Sequence, residues 1–394
     1  MKLHSMLFIT LFFIASACGE PLLVVVLMVK DEAPVIVQTL QPFVDGGVKD
    51  FVVFDTGSTD GTQEIAAEFF KQHNLTNAHV VEEPFIDFST SRNHALDAAQ
   101  SLFPDATFMI MPDAEWYMHN VEALVQFCSV YRNDCQHSYF ISTRSTSLAF
   151  VTSRLIRCRT QTRFVGSRHE ALNKLTTVTL PEDIYFEWRP SQKGNEKSAL
   201  RWLRDRDALL EDYAKNPSDV RTLFYLAQTY HCLGDWHNAY MFYQKRIALP
   251  GWDEENFITQ VRMGDVAQQL ILTDDTSICP LAIRHYLEAF ALRPHRAEPL
   301  IKIAQYYLGK EQMHLAFLFA ARAVNIAYPA QDRLFIEKYM YDFVRYDILG
   351  ICAWYVGEYE VGEWAVKKAL EINPDAPHLK LNLKFYADHK LAAA

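Results

Sequence analysis

The stretch that decides the fold reads Val52-Val53-Phe54-Asp55-Thr56-Gly57-Ser58-Thr59-Asp60-Gly61-Thr62. An apolar strand ends on a carboxylate, a Gly/Ser turn follows, and Thr59 or Asp60 can cap the next helix. At the carboxyl end of a strand in an open parallel sheet, Asp55 would face the ligand crevice. There it can accept hydrogen bonds from a base or a ribose. A plain strand-to-helix turn favours the same residue types, so the surrounding sequence has to decide.

Working outward, apolar runs at 22–29, 51–54, 79–81 and 108–111 read as strands, with helical patterns at 34–44, 60–73 and 91–103 between them. That rhythm predicts a Rossmann-like α/β domain, a mostly parallel sheet with helices on both faces. Residues 138–188 turn strand-rich, at 139–142, 148–156 and 184–188, and antiparallel pairing is expected there. Lys30-Asp31-Glu32 ends the first strand on the neighbouring edge of the crevice. Asp87 opens a helix that carries Arg92 in its first turn, where a guanidinium beside a helix N-terminus suits a diphosphate. The fourth strand runs into Pro112-Asp113-Ala114-Glu115-Trp116. In extended chain Asp113 and Glu115 point to one face, and two oxygen ligands suit Mg2+ or Mn2+ bridging a diphosphate.

The polar segment 190–197 marks the expected boundary between a first domain, 20–190, and a helical second domain, 197–390. Small residues recur there at a spacing of twelve, in Ala227/Ala239, Ala304/Ala316 and Gly350/Gly362. Seven further lie Ala323 and Ala369, and Ala282 precedes Ala289 by the same seven. Helices that cross closely need small residues, and this register is that of tetratricopeptide hairpins. Spacings of 43 and 46 residues imply insertions around two units, and Arg246 occupies one late small position.

Together the strand-end segments resemble glycosyltransferase family 2 on a GT-A fold, over about residues 22–190. Val29-Lys30-Asp31-Glu32 is similar to a Lys-Asn-Glu strand end. Residues 55–62 resemble Asp-x-Gly-Ser-x-Asp-Gly-Thr, and Ser91-Arg92-Asn93-x-Ala95-Leu96 resembles Ala-Arg-Asn-x-Ala/Gly-Leu. Asp113-Ala114-Glu115 stands at the Asp-x-Asp metal motif, with Glu115 in place of its second Asp and Trp116 where many relatives carry an acid. Phe164-Val165-Gly166-Ser167-Arg168-His169-Glu170 resembles a Gly-x-x-His-Glu block. With Arg206-Asp207-Ala208 and Leu223–Gln228, the whole chain resembles transferases with a tetratricopeptide tail. The resemblance implies a nucleotide-diphosphate sugar as donor, with Glu32, Asp55 and Asp60 on the nucleotide and Arg92 on the diphosphate. It implies Asp113, Glu115 and His169 as ligands of Mn2+ or Mg2+. Glu170 is the expected general base for an acceptor hydroxyl, in an inverting displacement. An ion pair between Glu170 and an arginine is its structural alternative. The acceptor, a glycan or protein, is expected to meet the helical array.

Other classes are weaker. Thirty-eight Lys+Arg against 48 Asp+Glu give a net charge of −10, so no basic field exists to hold nucleic acid. A nucleotidyltransferase would need a Gly-rich basic loop after the first strand, and none occurs. The alternative that remains is a transferase fold without turnover, serving as a tetratricopeptide binding scaffold. Lys2 and His4, an apolar run from Met6 to Ala15 and Ala15-Ser16-Ala17 read as a secretory signal over 1–17. That leads to an expected luminal, secreted or periplasmic location, with membrane tethering as a variant. Of the seven cysteines, Cys128 and Cys135 are close enough to pair in an oxidising compartment.

Overall fold

The computed structural model describes residues 21–166, 170–174, 178–272 and 279–393. The signal reading at 1–17 and His169 lie outside the described residues. Four parallel strands build one side of the sheet: β1 (Leu23–Val29), β2 (Asp50–Asp55), β3 (Asn77–Glu82) and β4 (Phe108–Ile110). Helices α1 (Ile36–Asp45), α2 (Thr62–Gln72) and α3 (Phe88–Leu102) connect them. Then come β5 (Trp116–His119), α4 (Val121–Val130), β6 (Ser138–Arg144), β7 (Ala149–Arg157), the short pair β8 (Phe164–Val165) and β9 (Ala171–Leu172), and β10 (Tyr185–Trp188).

The main sheet has eight strands in the order β3-β2-β1-β4-β7-β6-β10-β5. Strand order reverses at β1, which puts the crevice at the carboxyl ends of β1, β2 and β4. The period of two along β1 sorts its side chains. Val25 and Leu27 pack with α1, α2 and α4, while Val24 and Val26 pack with α3 on the other face. The expected antiparallel pairing beyond residue 138 holds for β6 with β7 and β7 with β4, but β10 runs parallel to β6.

Two expectations fail here. Asp113 and Glu115 do not lie in extended chain. Residues 113–116 form a turn closed by Trp116 N–H to the Asp113 carbonyl (3.2 Å), with Glu115 at φ +67°, so the two carboxylates do not share a strand face. Cys128 and Cys135 are both free thiols. The first is buried under the sheet on α4 and the second is exposed in the following loop.

Among the described residues all further elements are helices. The α-helices are α5 (Gln192–Lys215), α6 (Val220–Cys232), α7 (Trp236–Ile247), α8 (Asp253–Leu272), α9 (Cys279–Leu292), α10 (Glu298–Gly309), α11 (Met313–Ala323), α12 (Arg345–Tyr355), α13 (Tyr359–Ile372) and α14 (Pro377–Ala393), and a π-helical turn, Met340–Val344, leads into α12. From α6 onward they pack as consecutive hairpins, a tetratricopeptide-like solenoid. Every alanine of the expected register is fully buried: Ala227, Ala239, Ala282, Ala289, Ala304, Ala316, Ala323 and Ala369. A Cβ on Gly350 would meet Val366 at 2.6 Å and one on Gly362 would meet Tyr386 at 2.0 Å, so both glycines are required by close approach. Arg246 fits its small position because its guanidinium folds into the core onto Glu255 (2.5 Å) beside Gly251.

The insertion between α11 and α12 returns to the sheet. Val151 N–H donates to the Arg333 carbonyl (3.1 Å), and Ala149 and Ile336 exchange both main-chain hydrogen bonds (2.8 Å). The segment thus pairs with the part of β7 that the three-residue β4 does not reach. Phe335 packs on Phe150 and Arg333 lies over Phe140, so the array is joined to the sheet by backbone and aromatic contacts. Among the described residues, no helix is long and apolar enough to cross a membrane.

Candidate active site

The Asp55 turn forms as the sequence leads one to expect. Asp55 is fully buried, and its Oδ1 accepts from Gly57 N–H (2.8 Å), Ser58 N–H (2.7 Å) and Gln63 Nε2 (3.0 Å). Gly57 and Gly61 sit at φ +97° and +88°, a region only glycine enters cheaply. The other oxygen, Oδ2, is buried with no hydrogen-bond partner. Asp60 is used locally: Oδ2 accepts from Ala33 N–H (3.2 Å), and Oδ1 accepts from Thr62 N–H (3.2 Å) and the Thr62 hydroxyl (2.5 Å). Glu32 donates its N–H to the Thr62 hydroxyl (2.8 Å), which ties the end of β1 to the start of α2.

A second group of residues gathers across β1. Asp87 caps α3 by accepting from Thr90 N–H (2.8 Å), and Arg92 enters the interior one turn later, 4% exposed. Its Nη2 donates to Asp113 Oδ1 (2.5 Å) and its Nε to Glu170 Oε1 (2.6 Å). Arg154, from the middle of β7 and 8% exposed, donates through Nη2 to Asp113 Oδ2 (3.1 Å). Arg154 reaches Asp113 because its carbonyl accepts from Met111 N–H (3.0 Å), two residues before the aspartate. The Phe164 ring lies 5.6 Å from both guanidiniums and Trp116 lies 5.2 Å from that of Arg154.

Burial raises the Asp113 pKa, but the charges of Arg154 and Arg92 outweigh it and hold the carboxyl below its ordinary value. Burial pulls Arg92 down, yet Asp113 and Glu170 more than compensate and its charge is strengthened. For Arg154, burial and the neighbouring Arg92 charge prevail over the two carboxylates and lower its pKa. The first helices of the array flank this cluster. Arg201 on α5 contributes to lowering Asp113, while Tyr225 on α6 is raised mainly by burial and also by the charge of Glu170.

Residues 24–174 match the family model for glycosyl transferase family 2. The match covers the described strand-end motifs, and with the sheet order it bears out the resemblance and the GT-A-like fold. It supports a glycosyltransferase activity in general terms. No curated protein matches the chain. Among solved structures the chain is similar to MamA, 18% identical over 43% of this chain and 82% of that one, with a TM-score of 0.34. It is also similar to the C-terminal part of a TPR repeat-containing protein from Cytophaga hutchinsonii, 16% identical over 48% and 66% of the chains, TM-score 0.38. A third is a thermophilic TPR protein in Thermus thermophilus, 16% identical over 50% and 97%, TM-score 0.33. The tetratricopeptide character of the helical half stands on its own hairpins and buried small residues.

Of the residues singled out from sequence, the structure brings Arg92, Asp113 and Glu170 together and keeps Glu32, Asp55 and Asp60 on the neighbouring strand ends. Glu115 goes elsewhere. Its Oε1 accepts from Ser191 N–H (3.0 Å), and its charge, with that of Glu32, adds to burial in raising Tyr117. Asp113 and Glu115 therefore do not fit a shared divalent cation, because both Asp113 oxygens are held by guanidiniums and the turn at Glu115 separates the pair. Among the described residues, no group of three His, Cys, Asp or Glu side chains is gathered to hold a metal. Arg154 escaped the sequence reading. Its only signal is an arginine inside the otherwise largely apolar run 148–156.

Proposed function

We propose that the chain transfers a glycosyl group from a nucleotide-diphosphate sugar to an acceptor hydroxyl, with Asp55 receiving the nucleoside. The observation that carries this reading is the Asp55 Oδ2 atom. Leaving a buried acceptor unpaired costs about 1–3 kcal/mol, and a base N–H or ribose O–H entering the crevice would recover it. In the transfer, the acceptor oxygen bonds to the anomeric carbon as the bond to the diphosphate breaks. The diphosphate leaves with that electron pair, and the hydroxyl proton passes to a carboxylate, for which Glu170 is the candidate. Direct displacement inverts the anomeric centre. The acceptor enters from the side of α5 and α6, whose Arg201 and Tyr225 interact electrostatically with Asp113 and Glu170.

A second reading has its own support. Asp113 and Glu170 are both paired with guanidiniums, as they would be in a transferase fold retained for binding. One set of measurements separates these readings. Nucleoside diphosphates (UDP, GDP, ADP and CDP) are titrated by calorimetry, and the corresponding sugars are assayed for release of the diphosphate. At least one should bind, and Asp55→Asn, which turns the unpaired acceptor into a donor, should weaken it about tenfold or more with the melting temperature little changed. Binding with sugar release supports the enzyme, and binding without release supports the scaffold. No binding rejects the nucleotide reading.

A further inference from the structure

Asp113 spans Arg92 and Arg154 as an O–C–O bridge, one oxygen on each guanidinium at 2.5 and 3.1 Å. The O–P–O unit of a phosphate can make the same bridge. Both arginines also keep Nη1 buried without a hydrogen-bond partner, so each has donor capacity that the protein does not use. The four members differ in access. The side chains of Arg92, Arg154 and Glu170 are 5%, 9% and 9% exposed, whereas that of Asp113 is 32% exposed. Glu170 holds Arg92 through Nε, a different nitrogen from the Nη2 that Asp113 uses, so Arg92 keeps one anchor if Asp113 swings away.

We propose that Arg92 and Arg154 form an anion seat that takes the diphosphate of a nucleotide without a divalent cation, Asp113 occupying the seat in the ligand-free protein and leaving it on binding. Asp113 is then an internal competitor of the ligand. Two buried guanidiniums supply the neutralising charge that the sequence pattern assigns to a metal, and their planar forks fix the orientation of the bound oxygens. Identifying the anion as a nucleotide's diphosphate rests on the glycosyl-transfer reading above, but the seat itself does not.

The two ideas about Asp113 predict opposite signs. In metal-stripped buffer, inorganic pyrophosphate should bind the full chain, and Asp113→Asn should bind it about tenfold tighter, since the competing carboxylate is gone. Arg154→Lys keeps the charge and loses the fork, and should bind pyrophosphate about tenfold more weakly. UDP, GDP, ADP or CDP should bind with a Kd that added Mn2+ changes by no more than about twofold. Loss of pyrophosphate binding in a folded Asp113→Asn protein overturns the seat. So does nucleoside-diphosphate binding that appears only with Mn2+, and that result leaves the glycosyl-transfer reading standing. Pyrophosphate binding with no nucleoside diphosphate bound has the reverse meaning. If Asp113→Asn fails to fold, the wild-type titrations and Arg154→Lys still decide.

Discussion

The molecule contains two buried clusters of the same composition, and they are finished to different degrees. In the sheet half, Arg92 and Arg154 meet Asp113 and Glu170. In the array, Arg293 and Arg296 meet Glu298 and Asp332. Arg296 is fully buried. It donates to Glu298 and Asp332 and also to the carbonyls of Leu334 (3.5 Å) and Phe335 (3.2 Å). Asp332 accepts from Arg293, His295 and Arg296, and its side chain is 3% exposed. Neither arginine of that cluster is left with an unpartnered buried nitrogen. The array cluster is closed and holds the Arg333–Ile336 segment against β7. The crevice cluster has spare donors and one accessible carboxylate. The closed cluster is a structural joint, and the crevice cluster, with spare donors beside an accessible carboxylate, is where the anion seat is proposed.

The sharpest way to break this comparison is to remove the same kind of residue from each cluster. Asp332→Ala removes the carboxylate that Arg293 and Arg296 share, leaving the buried Arg296 on Glu298 and two carbonyls, and should cost about 3–5 kcal/mol of stability. It should also weaken pyrophosphate binding, because the segment it holds pairs with the strand that delivers Arg154. Chemical denaturation measures the first effect and calorimetry the second. A stability loss below about 1 kcal/mol would put Asp332 among ordinary surface pairs and end the contrast.

A smaller effect is expected inside the array. His231 on α6 is pushed down to about 4, first by burial, then by the charge of Arg262, with Lys302 adding to it and Asp265 opposing. Its Nδ1 is buried without a partner. A histidine whose folded pKa lies below its unfolded value near 6.5 stabilises the protein fully above pH 6.5, and that contribution is lost as pH falls toward 4. The loss over that window is at most about 3 kcal/mol. Melting temperatures from pH 7 to 4 should fall less steeply for His231→Phe than for the wild type. Identical pH profiles would show that His231 does not carry the effect.

What the sequence made legible follows from how local each feature is. The Asp55 turn, the Asp87 cap and the small residues spaced twelve apart are set by neighbours within one or two turns of chain. They can be read without the fold. Two strong elements could not. Trp116–His119 and Val121–Val130 follow residues in left-handed backbone, Glu115 at φ +67° and Asn120 at φ +58°, and β5 finds its partner in β10, far along the chain. Arg154 lies in a strand that was foreseen, but its meaning depends on β7 lying beside β4, a non-local pairing. The extended geometry assumed for Asp113 and Glu115 failed for a local reason, a turn after Pro112 that takes the backbone out of the strand.

The smallest expected effect sharpens the comparison from the other side, because it perturbs the helix that carries Arg92 without touching the cluster. Asp87 accepts from Thr90 N–H and the Thr90 hydroxyl at 2.8 Å and from the Ser89 hydroxyl at 2.9 Å. Burial raises its pKa, and these hydrogen bonds together overcome that and lower it. Its stabilisation is therefore present above the unfolded carboxylate range and disappears only as pH falls through the lowered folded value. Asp87→Ala should cost about 1 kcal/mol at neutral pH, the usual worth of an N-cap. Arg92 has its own anchors in Asp113 and Glu170, so pyrophosphate affinity should stay within about twofold of wild type. A loss of affinity larger than that, at so small a cost in stability, would mean that the start of α3 sets the position of the guanidinium. The seat would then be built by the helix cap as much as by the two carboxylates.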